Sequence, residues 1–195
     1  MTVRLRALAG LLGVLLLAAC ATPDPTPKYP ELTFIQKPKI RLDVARIEVI
    51  NEHQMPVKRP NVEHLMPVAP GPAAERWARD VLVPVGRTGV AVFVISDAAV
   101  METKLKKTEG LKGAFTTDQA ERYDGRLAAR IDLRDAFDRV VASAEAVTTK
   151  SQTVPENISP NDRAKTWYGM TEAMMENFDA IMHQEAQRYL AQHMR

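Results

Sequence analysis

The side chains that could do chemistry in this 195-residue chain are few and scattered. His53, Glu63 and His64 fall within one Pro-rich stretch, and imidazole with carboxylate is an ordinary donor set for zinc. Their spacing matches no compact metal motif, and a further ligand would have to come from a distant segment, so solvated loop polarity is the expectation. His183 and Glu185 stand two apart on a predicted helix, on different faces, and read as surface. Met170, Met174, Met175 and Met182 carry the thioethers that copper(I) prefers. Met170 and Met174, however, share a helical face with Trp167 and Phe178, which reads as core packing, with an adaptable groove as the runner-up. Ser96-Asp97 follows an apolar run, a position where functional loops commonly begin, although a simple turn accounts for it equally well. The chain has no Gly-x-Ser-x-Gly elbow and no His-Glu-x-x-His, and Gly86-Arg87-Thr88-Gly89 lacks the spacing of a phosphate loop. No metal, no cofactor and no catalytic activity are therefore expected.

One residue stands apart. Cys20 is the only cysteine, so no disulfide framework accounts for it. Arg4 and Arg6 precede an uncharged apolar stretch, Ala7 to Ala19, which is the layout of a secretory signal peptide. That stretch covers about two thirds of the ~20 residues a transmembrane helix needs, and Pro23 and Pro25 follow it closely. The four residues Leu17-Ala18-Ala19-Cys20 resemble the lipobox of bacterial lipoproteins at every position. The resemblance implies a diacylglyceryl group on the Cys20 thiol, removal of residues 1–19 and, as a rule, acylation of the new amino terminus. Ala21 stands where an inner-membrane retention Asp would be, which by the same resemblance points to the outer membrane, facing the periplasm. The two arginines of the leader account for the chain's net charge of +2, leaving 24 basic and 24 acidic side chains in the remainder. That balance argues against general attraction to nucleic acid or to anionic headgroups, so lipid alone would hold the protein to its membrane.

The elements that must position everything else follow from periodicity. Residues 20–39 carry Pro23, Pro25, Pro27, Pro30 and Pro38 and read as a tether, with Leu32-Thr33-Phe34-Ile35 as an apolar patch able to dock on the domain. Residues 40–195 read as a single domain. Ile40 to Asn51 alternates as a strand whose phase changes near Ala45, predicting a bulge or bend there. A long loop, His53 to Gly71, follows. Pro72 to about Val83 is an amphipathic helix, and Val90 to Ile95 is an unbroken apolar run, expected to be a strand covered on both faces at the centre of the sheet. Val100 to Lys107 is a short strand or a helical turn, Thr108 to Arg122 a loop. Leu127–Leu133 and Val140–Thr148 alternate and predict an antiparallel hairpin turning at Ala136-Phe137-Asp138. Ser159-Pro160-Asn161-Asp162 caps a helix of about 30 residues. The order predicts an α+β fold, a mainly antiparallel sheet with helices, including the long C-terminal one, packed on one face.

The element order, the lipobox and the Pro-rich leader together resemble the auxiliary lipoproteins of ABC-type transport systems. Glu75-Arg76-Trp77-Ala78 and the strand Val90 to Ile95 carry that likeness, which covers little of the chain. The expected function is that of a non-catalytic envelope lipoprotein, held to a membrane by lipid on Cys20 and binding a partner protein or transport complex. Val62, Leu65 and Met66, among prolines that lower the entropy cost of ordering, are the candidate partner-binding residues. The alternative is a carrier of lipid or another small molecule, in a cavity lined by Trp77, Phe93 or Trp167. An enzyme with an unrecognised site comes third.

Overall fold

The computed structural model describes residues 28–105 and 119–195. Cys20, the lipobox and most of the expected loop after Lys107 lie outside the described residues. The elements run β1 (Ile40–Leu42), β2 (Arg46–Asn51), α1 (Pro70–Val81), β3 (Leu82–Pro84), β4 (Val90–Asp97), β5 (Val100–Lys104), β6 (Gln119–Arg134), β7 (Val140–Pro155) and α2 (Pro160–Tyr189). The fold is α+β, with α2 packed on the sheet. Among the described residues, no helix is long and apolar enough to cross a membrane.

The sheet is organised by β6. Along one edge β6 pairs antiparallel with β7 over nearly its whole length. Along the other it takes β4 opposite Ala128–Arg134 and β5 opposite Glu121–Gly125, so β4 and β5 are two stretches of one line broken around Ala98 and Ala99. Arg126 N–H donates to Ala99 O at 2.9 Å across that break. β2 extends the sheet in parallel beyond β4, with Val49 opposite Phe93. Alternation along β6 sends Tyr123, Leu127, Ala129, Ile131 and Leu133 into the core, while Arg122, Asp124, Arg130 and Asp132 pair along the opposite face. Val92 and Val94 are buried too. They are flanked in register by Glu48 and Asp132, and by Ile50 and Arg130, so strand neighbours rather than a second layer cover them.

Several expectations need correction. Ile40 to Asn51 is not one bent strand: β1 pairs in parallel with β3 in a separate two-stranded sheet, and β2 joins the main one. The phase change at Ala45 is the point where the chain changes sheets, and Ala45 N–H donates to Thr88 O and Gly89 O at 3.1 Å each. The first helix stops at Val81 because Leu82-Val83-Pro84 is extended and pairs with β1. Gln119 to Arg122 belongs to β6 rather than to a loop, since β5 and β7 offer pairing partners on both sides. Gly89 sits at φ 75°, and a Cβ there would come within 2.5 Å of Arg134 O, so only glycine lets β4 begin this close to the end of β6.

Both helices contribute to one apolar cluster. Ser159 Oγ accepts from Asp162 N–H at 3.1 Å and Pro160 occupies the first turn, which fixes where α2 begins. Its buried stripe includes Trp167, Met170, Met174, Met175, Phe178, Met182 and Ala186. All four methionines are thus core packing. Trp77 of α1 is fully buried, with Phe178 at 5.1 Å and Phe93 at 5.6 Å between ring centroids, and Tyr123 meets Trp167 at 5.4 Å. Rings in contact fill the space that the carrier alternative reserved for a ligand.

Residues 28–39 lie on the domain, in the groove between α1 and α2. Leu32 and Phe34 are buried in the common core, whereas Ile35 is exposed. Phe34 N–H donates to Asp80 Oδ2 at 2.9 Å, and Lys37 Nζ donates to the two Glu176 carboxylate oxygens at 2.7 and 2.6 Å. The Glu176 carboxylate holds the Lys37 ammonium above its ordinary pKa range. His183, expected at the surface, is half-buried instead, because its ring bridges Asp179 O at 2.9 Å and Pro38 O at 3.1 Å. At the start of the arm Tyr29 stacks on Tyr168, at 5.1 Å, and its hydroxyl donates to Asn161 O. The arm therefore joins the domain at the first turns of α2.

Candidate functional site

The polar residues singled out by type do converge, at the carboxyl ends of the parallel pair β2 and β4. Open α/β sheets commonly bind ligands at such ends. Here the chain leaves β2 through Asn51 and His53, and the following loop returns across the break between β4 and β5. Asn61 bridges to Met101, Val62 N–H donates to Val100 O at 2.9 Å, and Glu102 N–H donates to Pro60 O at 2.8 Å. That return carries Glu63, on a single 3-10 turn Glu63–Leu65, under the strand break. Glu63 is 1% exposed and sits beside His53, with 3.4 Å between Oε1 and His53 Nε2. On the other side of the imidazole, Asp97 Oδ1 lies 3.8 Å from Nδ1. A cavity of about 220 Å³ opens next to this trio, and Asn51, Gly71, Pro72 and Ala98 complete much of its wall.

Each carboxylate has structural partners. Glu63 Oε2 accepts from Val100 N–H at 3.3 Å, and Oε1 accepts from Asn61 Nδ2 at 3.2 Å. Asp97 Oδ1 accepts from Ala99 N–H at 3.1 Å, and Oδ2 pairs with Arg126 Nε at 3.1 Å. These bonds satisfy backbone donors that the interruption of β4 and β5 would otherwise orphan. The His53 Nε2 atom is buried without a hydrogen bond, since Glu63 stands at ion-pair distance but out of line. Among the described residues, no hydroxyl or thiol lines the cavity. Ser96, the nearest serine in sequence, turns its hydroxyl to Ala128 O at 3.2 Å. These contacts act as a latch that pins the loop onto the sheet. Pro70 and Pro72, at the start of α1, leave few backbone donors for an anion on that side.

His64 does not join the cluster; its Nδ1 is buried without a hydrogen-bond partner. Among the described residues, no three His, Cys, Asp or Glu side chains converge in a way that could hold a metal ion. The three residues expected to dock a partner do not share a surface. Val62 is fully buried and Met66 is 8% exposed, both in the core cluster, while Leu65 alone is exposed. The loop packs its apolar side chains inward, as a covering loop does. Sequence reasoning missed Asp179, whose Oδ1 accepts from buried Trp77 Nε1–H at 2.7 Å and whose Oδ2 lies 3.3 Å from Lys37 Nζ. An acidic residue inside an apolar helical stripe is the signal that could have found it, since such a charge is retained only with a partner. The chain matches no known protein family and no curated protein.

Proposed function

We propose that the chain is a non-catalytic bacterial envelope lipoprotein, anchored by lipid on Cys20 to the outer membrane, whose α+β domain binds a partner protein in the periplasm. The observation that carries the reading is the tetrad Leu17-Ala18-Ala19-Cys20 behind a charged, then apolar, leader. Several acyl chains make a firm anchor, because each buried CH₂ contributes about 0.8 kcal/mol. The docked arm supports a defined placement on that anchor. Seven residues separate Cys20 from Lys28, so the chain between them spans at most ~28 Å. The arm meets the domain at the amino end of α2, whose 30 residues extend ~45 Å. That end then faces the bilayer, and the turn between β6 and β7 points away from it. Phe137, Val140 and Val141 are exposed around that distal turn, the kind of apolar cluster that marks a contact surface. The structural partners of Glu63 and Asp97 support a role without catalysis.

Metabolic labelling with a fatty-acid analogue, followed by membrane fractionation, tests the reading. Wild-type protein should be labelled and pellet with membranes, and Cys20→Ser should be unlabelled. Labelling that persists in Cys20→Ser, or wild-type protein that carries no label, overturns it.

A further inference from the structure

The edge of β7 is the longest unpartnered structure in the described residues. β7 pairs with β6 and with no other described strand. Its sixteen residues hold two charges, Glu145 and Lys150, and no proline before Pro155, so it lacks the charge and proline that usually blunt an exposed edge. Hydrogen bonding fixes which of its backbone groups point outward. Arg126 gives its N–H to Ala99, so Arg126 and the β6 residues two, four and more away turn their amides toward β5 and β4. Thr149, opposite Arg126, therefore points its own N–H and C=O away from the sheet, as do Ser143, Glu145, Val147 and Ser151.

That outward row lies under an overhang. α2 packs over β7 rather than over the middle of the sheet, and two cavities open along the seam between them. One, of about 380 Å³, is lined by Lys150 and Lys165; the other, of about 510 Å³, by Glu145, Val147, Ile181 and Glu185. The seam is thus basic at the end nearer the start of α2, and at the other end sets two carboxylates beside Val147 and Ile181. Gly169 lines the basic end, and a Cβ there would meet nothing within 4 Å. Glycine in a helix interior is unfavourable relative to alanine, and no packing among the described residues requires it here. The open space at Gly169 lets an additional backbone approach.

We propose that the seam between β7 and α2 binds an extended segment of a partner protein by β-strand addition. The segment pairs antiparallel with β7, with acidic residues at its amino end opposite Lys150 and Lys165. Apolar residues follow over Val147 and Ile181, and basic ones at its carboxyl end meet Glu145 and Glu185. Edge pairing of this kind draws affinity from main-chain hydrogen bonds and specificity from alternate side chains. A second copy of the chain does not fit. Two-fold pairing of β7 with itself would set the strands ~4.8 Å apart and bring two overhanging helices far inside the ~8–10 Å that packed helices need. The inference rests on the proposed partner-binding function and names its surface.

The probe is a synthetic peptide of alternating valine and threonine, with glutamates at its amino end and lysines at its carboxyl end. It is added to full-length lipidated protein in detergent micelles. Amide exchange at Glu145, Val147 and Thr149 should slow by about tenfold or more, and the charge-reversed peptide should bind about tenfold more weakly. Gly169→Leu should abolish the slowing with no loss of thermal stability, and Val147→Pro should abolish it without removing a bond to β6. Unchanged exchange at those amides, equal binding of both peptides, or self-association that Val147→Pro abolishes would each overturn the proposal. Failed binding with Cys20 still labelled sinks the seam alone; binding intact with Cys20 unlabelled sinks the anchor alone.

Discussion

Replacing Asp179 with alanine should uncouple the three pieces that meet over the core: α1, α2 and the docked arm. Asp179 is 6% exposed, and Oδ1 accepts the Trp77 indole N–H at 2.7 Å. A hydrogen bond to a charged acceptor contributes ~1.5–3 kcal/mol, and the substitution removes the acceptor of a buried N–H. The contact with Lys37 at 3.3 Å adds less, because that ammonium keeps Glu176 and is partly hydrated. The sum is a loss of about 3 kcal/mol. For a domain of this size that corresponds to a fall of ~6–12 °C in Tm. Asp179→Asn keeps an acceptor oxygen and loses only the charge, so it should cost about 1 kcal/mol. The assay is urea unfolding in a Cys20→Ser background, followed by far-UV circular dichroism and by the fluorescence of both tryptophans, of which Trp167 alone remains in Trp77→Phe. A double-mutant cycle with Trp77→Phe should return a coupling of ~1.5–3 kcal/mol. A loss below about 0.5 kcal/mol for Asp179→Ala, or a coupling near zero, would refute the reasoning.

The latch makes a second prediction. Glu63→Ala strands the Val100 N–H and frees the Asn61 amide, so stability should fall by about 2–3 kcal/mol while Glu63→Gln loses less. Loss of exchange protection at Val100 and Glu102 should report the same event, and unchanged protection there would show that the loop is held by other contacts. Alkaline unfolding gives a third. Burial, with the hydrogen bond to Glu121 as the next cause, pushes the Tyr123 hydroxyl well above its ordinary pKa. The folded value lies above the unfolded one, so this contribution is complete below pH about 10 and is lost as the pH rises toward the folded value. Wild type should lose stability faster than Tyr123→Phe between pH 9 and pH 11, and parallel curves would show that the group does not titrate differently on folding. Acid pH works in the opposite sense at Asp124. The Ser151 hydroxyl, then Arg122, holds its carboxyl below the usual range, so its contribution is present above pH about 4 and is lost as pH falls through the folded value. Asp124→Asn should flatten the acid limb, measured as the urea midpoint from pH 5 down to pH 2.

Much of the architecture was legible because the relevant signals are local. The unbroken run Val90 to Ile95 reads as the inside of the sheet, and β4 does lie between β2 and β6, although strand neighbours rather than a second layer cover its outer face. The hairpin of β6 and β7 follows from strict alternation across the turn at Ala136-Phe137-Asp138, and Ser159 with Pro160 sets the start of α2. The phase change at Ala45 was visible, but a bulge and a change of sheet leave the same trace in a sequence. Only the pairing of Leu82-Val83-Pro84 with β1 separates them. The candidate site was half legible. His53, Glu63 and Asp97 were picked out by type, yet their meeting depends on the loop from β2 crossing the break in β4 and β5. Val62 and Met66 show the converse, since an apolar residue among prolines has the same composition whether it faces solvent or core.

What the sequence determined by itself is where most of the helices and strands lie, and the proposal for Cys20 rests on it alone, because both depend on residues within a few positions of one another. Periodicity is a property of a single segment, and so is the resemblance of Leu17-Ala18-Ala19-Cys20 to a lipobox. Tertiary structure decided what those segments meet. It brought the arm down onto α1 and α2 through Leu32, Phe34 and Lys37. It also buried Glu63 under backbone donors that only the strand break exposes, and left the outward amides of β7 open beneath α2. Those outcomes turn on contacts between residues far apart in the chain, whose free energy depends on which groups are desolvated together, and no local pattern encodes that.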